Sequence, residues 1–160
     1  MIAKSAIVKQ IVQRLGKELE ALAGAARKMH ADASDEQNKP EDQYDTRGLE
    51  TAYLASSQAR QATAAEEALA TYQVLKPVKF TAKSPIDLTA LVELDSRSAR
   101  SLYFLGPKSG GIEVKVAGKE IIVITPESPI GQQLIGKKAG DHFKLQTRGP
   151  ALEFRIISVR

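Results

Sequence analysis

The 160-residue chain reads as an α+β protein, an N-terminal antiparallel helical coiled-coil hairpin followed by a small, largely antiparallel sheet domain with one short helix. Three observations predict this. A heptad row of apolar residues runs through the first 33 positions, and a proline-free stretch rich in Ala, Gln and Glu follows it. From position 88 onward the chain breaks into short branched or aromatic runs bounded by Gly, Pro, Asp or Ser, which is strand punctuation.

In the first helix Val8, Val12, Leu15, Leu19, Leu22, Ala26, Met29 and Ala33 recur at steps of four and three, the spacing of a coiled-coil seam. The second helix is expected from about Gly48 to Leu75, with small seam residues Ala52, Ala55, Ala59 and Ala62, then Leu69 and Tyr72. Small residues there suit close approach to larger partners on the first helix. Pro40 cannot continue a regular helix, so the turn is placed between about Ser34 and Thr46. Arms of about 28 residues at about 1.5 Å per residue give a rod of about 40 Å. Lys76-Pro77 ends the hairpin.

The expected organisation is a hairpin over 1–76 with an acidic tip at about 34–46, a linker over 77–86, and a sheet domain over 87–160. Strands are expected at Leu88–Leu94, Ser101–Leu105, Ile112–Val116, Ile121–Ile124, Phe143–Thr147 and Leu152–Val159. Ala117-Gly118-Lys119 and Arg148-Gly149-Pro150 supply turns. Between the fourth and fifth strands, Ser128 is an N-cap, Pro129 stands where a missing N–H costs nothing, and Gly136 can end the short helix in the left-handed conformation.

Composition narrows the function. The chain has no cysteine, which excludes disulfides, a thiol nucleophile and thiolate metal sites. Residues 1–12 form neither a signal-peptide core nor a membrane span, so a cytoplasmic protein acting as a monomer is expected. The net charge is +4, unevenly placed: residues 32–50 hold seven acids against two bases, and residues 76–160 hold fourteen bases against eight acids. Such a molecule presents opposite electrostatic signs at different places.

No self-contained catalytic constellation is present. His30 and His142 lack neighbours at metal-ligand spacing and read as surface residues. The loop Gly106-Pro107-Lys108-Ser109-Gly110-Gly111 lacks the spacing of a phosphate loop. The basic half, with Lys115, Lys119, Lys137, Lys138, Lys144, Arg148, Arg155 and Arg160, has no interleaved stacking aromatics, so weak, salt-sensitive attraction to RNA is expected rather than sequence recognition. The acidic cluster reads either as a solvated loop or as carboxylates at the end of a rod that can complete another protein's divalent-cation site.

The stretch Ser128-Pro129-Ile130-Gly131-Gln132-Gln133-Leu134-Ile135-Gly136-Lys137-Lys138-Ala139-Gly140-Asp141 resembles the hallmark of the C-terminal domain of the Gre transcript-cleavage factors of bacterial RNA polymerase. The resemblance extends over essentially the whole chain and is strongest from Ile121 to Val159. It implies an FKBP-like C-terminal domain that docks at the rim of the polymerase secondary channel on a coiled coil of the β′ subunit. Docking then falls to Ser128, Pro129, Gly136, Lys137 and Asp141. It also implies a hairpin that enters the channel, where its tip helps hold a magnesium ion shared with the polymerase, so that the polymerase cleaves a backtracked transcript. The protein is then an accessory factor acting on the polymerase's own active site, with no cofactor of its own.

The tip departs from the family's Asp-x-x-Glu-Asn element. Matching Tyr72-Gln73-Val74-Leu75 without gaps to the family's Ala-Gln-Val-Ile puts the family Asp on Glu41, its Glu on Tyr44 and its Asn on Asp45. Glu41, Asp42 and Asp45 are the candidate catalytic and metal-directed acids, with Asp35 and Glu36 in reserve. Arg47, if aimed at the tip, weakens cation binding. Two alternatives remain: a non-cleaving competitor for the channel, and a peptidyl-prolyl isomerase. The second would need an aromatic-lined pocket built from Phe80, Tyr103, Phe104, Phe143 and Phe154.

Overall fold

A computed structural model describes residues 1–34, 46–97 and 99–160. Two long helices, α1 (Lys4–Ser34) and α2 (Thr46–Val74), precede the strands β1 (Leu91–Ser96), β2 (Arg100–Leu105), β3 (Glu113–Val116) and β4 (Lys119–Ile124). The short helix α3 (Pro129–Leu134) and the strands β5 (His142–Leu145) and β6 (Leu152–Val159) complete the chain. The described residues divide into two compact units, Met1–Val12 with Thr71–Arg160, and Gln13–Ala70.

In the first unit six strands form one sheet in the order β3-β4-β2-β1-β6-β5. Four pairings are antiparallel, as expected, but β2 and β4 run parallel, so the sheet is mixed rather than antiparallel. Side-chain pattern explains the exchange. On β4, Ile121, Val123 and Ile124 are buried and Ile122 is half-buried, which demands a central position covered on both faces. β3 alternates Glu113 and Lys115 with apolar residues, which suits an edge. The β3–β4 hairpin therefore presents β4 to β2, and β4 then runs the same way as β2. Its turn has Ala117 at φ +51° and Gly118 at φ +75°, the two positive values of a type I′ turn.

One face of the sheet carries the main core. Val92, Leu94, Leu105, Phe154 and Ile156 meet Leu134 of α3 there, and Phe80 and Ile130 pack on the same cluster. The Phe143 and Phe154 rings stack with centroids 5.2 Å apart. The opposite face buries Leu91, Phe104, Ile121 and Val123, and the same unit buries Ile7, Ile11 and Tyr72 from the helix ends. The hydroxyl of Tyr72 donates to the Lys108 carbonyl at 2.8 Å. Burial pushes the Tyr72 phenol up to about 12.

The first strand begins later than the expected Leu88. Asp87 accepts from the Leu88 amide at 2.7 Å through its side chain and from the Ala90 amide at 3.1 Å through its carbonyl, closing a turn instead. Thr89 is buried in that turn at φ +69°. A β-branched residue avoids that conformation unless its surroundings fix it. Here the Thr89 amide donates to the Leu105 carbonyl at 2.7 Å, and its hydroxyl accepts from the Val78 amide at 2.9 Å.

The start of α1 is tied to the chain just past α2. The Lys4 ammonium donates to the Val78 carbonyl and lies 4.6 Å from the Phe80 ring centroid. Desolvation holds that ammonium below the ordinary lysine range. Residues 77–86 contain no helix or strand, yet Ile86 is buried and exchanges backbone hydrogen bonds with Gly136 at 2.9 Å and Lys137 at 2.8 Å.

The helical seam differs in detail from the heptad expectation. On α1, Ile7, Val8, Ile11 and Leu15 are buried, while Val12, Leu19, Leu22 and Met29 are half-buried and Ala26 is exposed. On α2, Ala65, Ala68 and Tyr72 are buried, Ala62 and Leu69 are half-buried, and Ala52, Ala55 and Ala59 are exposed. An Ala-rich helix offers similar small residues on several faces, so its periodicity selects a face weakly.

Candidate functional site

Two regions carried the functional expectations, the acidic tip and the signature around α3. Glu41, Asp42 and Asp45, with the reserves Asp35 and Glu36, lie outside the described residues. Among the described residues no group of three or more His, Cys, Asp or Glu side chains could hold a metal ion. His30 and His142 are both exposed.

The signature forms one continuous local structure on the sheet unit. Ser128, at φ −65° and ψ 151°, caps α3: its hydroxyl accepts from the Gly131 amide at 3.1 Å and donates to the Thr125 carbonyl at 2.7 Å. Pro129 takes the first helical position, where no amide is required. Gly131 is demanded by space, because a Cβ there would sit 1.9 Å from the Thr125 carbonyl oxygen. Leu134 is fully buried in the core and fixes the helix against the sheet.

The chain leaves α3 through Gly136 at φ +79°, the left-handed stop expected from sequence. Lys138 to Asp141 then form a tight turn with Gly140 at φ +95°. The Asp141 amide donates to the Lys138 carbonyl at 3.1 Å, and the Asp141 carboxylate accepts from the Lys138 amide at 2.8 Å. Gly140 and Asp141 are then joined to Ile156 by two backbone hydrogen bonds of 2.8 and 2.9 Å. Ser128, Gly136 and Asp141 therefore each hold the backbone of a turn. Pro129, Gly136 and Asp141 are exposed, and Ser128 and Lys137 are half-buried.

This is a rigid surface feature made of turns at both ends of α3. Among the described residues it contains no group of metal ligands, and what it offers a partner is the shape of its turns. The aromatic side chains do not open a pocket beside it: Tyr103, Phe104, Phe143 and Phe154 are buried and Phe80 packs on the core. A groove of about 380 Å³ elsewhere on the sheet unit is lined by charged residues, among them Glu93, Arg100, Glu113, Lys119 and Glu120.

Residues 91–160, which contain this feature and all six strands, match the family described as transcription elongation factor, GreA/GreB, C-terminal. That match marks the sheet domain as similar to the C-terminal domain of Gre-type factors. The chain carries two N-terminal helices followed by a mixed six-stranded sheet with a short helix. Among solved structures the chain is similar to Gfh1 of Thermus aquaticus, at 22% identity over 94% of each chain with a TM-score of 0.37. It is also similar to GreA factor homolog 1 (Gfh1) of Thermus thermophilus, at 18% identity, covering 96% of this chain and 94% of that one, with a TM-score of 0.37. A prokaryotic transcription elongation factor GreA/GreB from Nitrosomonas europaea aligns at 22% identity over 73% of this chain and 94% of that one, with a TM-score of 0.36. No curated protein sequence matches the chain. No described helix of this chain is long and apolar enough to cross a membrane.

The caps and turns of the α3 signature were legible because Ser128, Gly131, Lys138 and Asp141 each make a hydrogen bond within three positions along the chain. What sequence reasoning missed was the anchoring of residues 136–137 by Ile86, a contact across fifty positions that no local pattern announces.

Proposed function

We propose that this chain is an RNA polymerase accessory factor that enters the secondary channel of the enzyme and regulates elongation. The carrying observation is the Gre-type domain at 91–160, whose signature forms one rigid exposed feature, attached to a pair of helices of 31 and 29 residues. In this reading the surface around Ser128, Pro129, Gly136, Lys137 and Asp141 docks on the polymerase at the channel rim. Turn geometry held by backbone hydrogen bonds presents these residues without an ordering cost on binding.

The tip would then deliver Glu41, Asp42 and Asp45 toward the polymerase active centre. Carboxylates are the right donors for magnesium, which takes hard oxygen ligands in an octahedral shell. When bound, that ion supplies Lewis-acid activation of water for phosphodiester cleavage. The role of this chain is to add ligands and negative charge at the end of the hairpin, with chemistry left to the polymerase.

A second reading rests on the tip sequence. The ungapped match places Tyr44 where the family pattern has a glutamate and Asp45 where it has an asparagine. Displacing one carboxylate by one position changes whether two acids can meet one cation, and a factor so altered would occupy the channel without stimulating cleavage.

Stalled, backtracked elongation complexes with magnesium test both readings when shortening of 3′-labelled and 5′-labelled RNA is followed alongside polymerase binding. Release of short 3′ fragments supports cleavage stimulation. Binding without cleavage supports the competitor, and no binding removes both. In the cleavage reading, Asp42→Ala with Asp45→Ala abolishes stimulation and leaves polymerase binding intact.

A further inference from the structure

Strand register sets up a charged row that the linear sequence hides. His142 on β5 stands opposite Arg155 on β6, Arg155 opposite Asp95 on β1, and Asp95 opposite Arg100 on β2. Lys119 on β4 extends the row, since Arg100 and Lys119 each stand two positions before the paired residues Leu102 and Ile121. Directly opposed residues share a face, so five strands contribute one residue each to a line of about 19 Å at about 4.8 Å per strand. Lys144, paired with Glu153, adds a second rank on that face, and Arg97 reaches the same Glu153 at 3.8 Å.

The surface is open and positive. Arg97, Arg100, Lys119, Lys144 and Arg155 are all exposed, and they share that face with three acids, Asp95, Glu153 and Glu93. Among the described residues Lys119, Lys144 and Arg155 have no ion-pair partner, whereas Arg100 lies 3.8 Å from Asp95. The neighbouring Glu93 is engaged by Arg160 at 3.5 Å and by the Ser158 hydroxyl at 3.3 Å. Beyond Lys119, Glu113 and Glu120 bring negative charge to the β3–β4 edge and bound the surface on that side.

We propose that the open end of this sheet face, where β5, β6, β1, β2 and β4 carry the charged row, is a sequence-independent docking surface for the phosphodiester backbone of a nucleic acid. Two features favour a nucleic acid over a protein partner. Protein interfaces are anchored by buried aromatic or aliphatic side chains, and none of the exposed large apolar residues Leu49, Tyr53, Leu54, Val74, Val78, Leu88, Ile135 or Leu152 belongs to these two ranks. Three of the five bases are arginines, whose planar guanidinium fork matches phosphate oxygens. With no aromatic in either rank for a base to stack on, the surface reads charge alone. This inference does not depend on the polymerase reading above.

Fluorescence anisotropy with labelled single-stranded RNA and DNA of about 20 nucleotides, from about 50 to about 200 mM salt, tests it on the full chain. RNA and DNA are expected to bind alike within about threefold, weakening steeply with salt. Lys119→Gln, Lys144→Gln and Arg155→Gln together are expected to weaken binding by about tenfold or more at low salt. They are also expected to reduce the salt slope by about 2, since each lost phosphate contact removes about 0.7. An equal charge change at the exposed Lys79, Lys83 and Lys115 is the control and should move both quantities far less. The proposal is overturned by no binding at low salt, by equal losses in the two triple variants, by a preference between RNA and DNA beyond about tenfold, or by tighter binding of polyglutamate of matched charge.

Discussion

The sheet unit and the remainder of the helical hairpin are stabilised by different physics. The unit made of Met1–Val12 and Thr71–Arg160 buries branched and aromatic side chains on both faces of its sheet, with Phe104, Leu105, Ile121, Val123 and Ile156 fully excluded from water. Among the described residues of the unit Gln13–Ala70 the buried hydrophobic ones are Leu15, Ala65 and Ala68, and α2 leaves Leu49, Tyr53 and Leu54 exposed. A helix with so little buried area depends on its own hydrogen bonds and on helix propensity. The sheet unit therefore resists opening as a whole, while the outer hairpin is drawn from the low-stability end of the molecule.

The largest expected effect breaks the sheet unit. Phe104→Ala removes a fully buried ring and should cost about 3–5 kcal/mol in the denaturant unfolding of the full chain. A loss below about 1 kcal/mol would show that the second face of the sheet is not a true core. Next comes Gly131→Ala, whose new methyl cannot coexist with the Thr125 carbonyl oxygen. Overpacking of this kind costs roughly 1–3 kcal/mol, read as a lowered midpoint.

A titration sharpens the comparison at the junction of helix and sheet. The Tyr72 phenol is raised to about 12 from 10.0, so between those values the unfolded chain loses its proton while the folded chain keeps it. The contribution is fully present below pH 10 and disappears as pH rises through about 12. Spectrophotometric titration should show one of the four tyrosines ionising late, and Tyr72→Phe should remove that late step. The smallest effect has the opposite sign. Gly16 and Gly24 lie within α1 with open space where a Cβ would project, so Gly16→Ala and Gly24→Ala should each stabilise by about 0.5–1 kcal/mol. Slower amide exchange within α1 would report it, and unchanged exchange would mean that its opening is not limited by helix propensity.

Legibility in the sequence follows the same division. The α3 cap, its glycine stop and the Ala117-Gly118 turn were readable because turns and caps are decided by neighbours along the chain. The parallel pairing of β2 with β4 was not, since its partners lie nineteen residues apart and it depends on how the β3–β4 hairpin presents its more apolar strand. Thr89 was read as strand because its β-branch favours extension, and hydrogen bonds to Val78 and Leu105 overrode that preference. The deep seam residues Ile7 and Ile11 were missed because a heptad frame starting at Val8 fits the sequence equally well. The signature residues were legible as local structure, whereas the charged row exists only through register and has no linear motif.

One contact has a reach beyond stability. The ring of Tyr72 comes so close to Gly106 that a methyl at 106 would lie 2.0 Å from the phenol oxygen and 3.1 Å from the carbon that bears it. Tyr72 and Gly106 thus constrain each other across thirty-four positions: a methyl at 106 would force the Tyr72 ring, and with it the hydrogen bond to Lys108, to move.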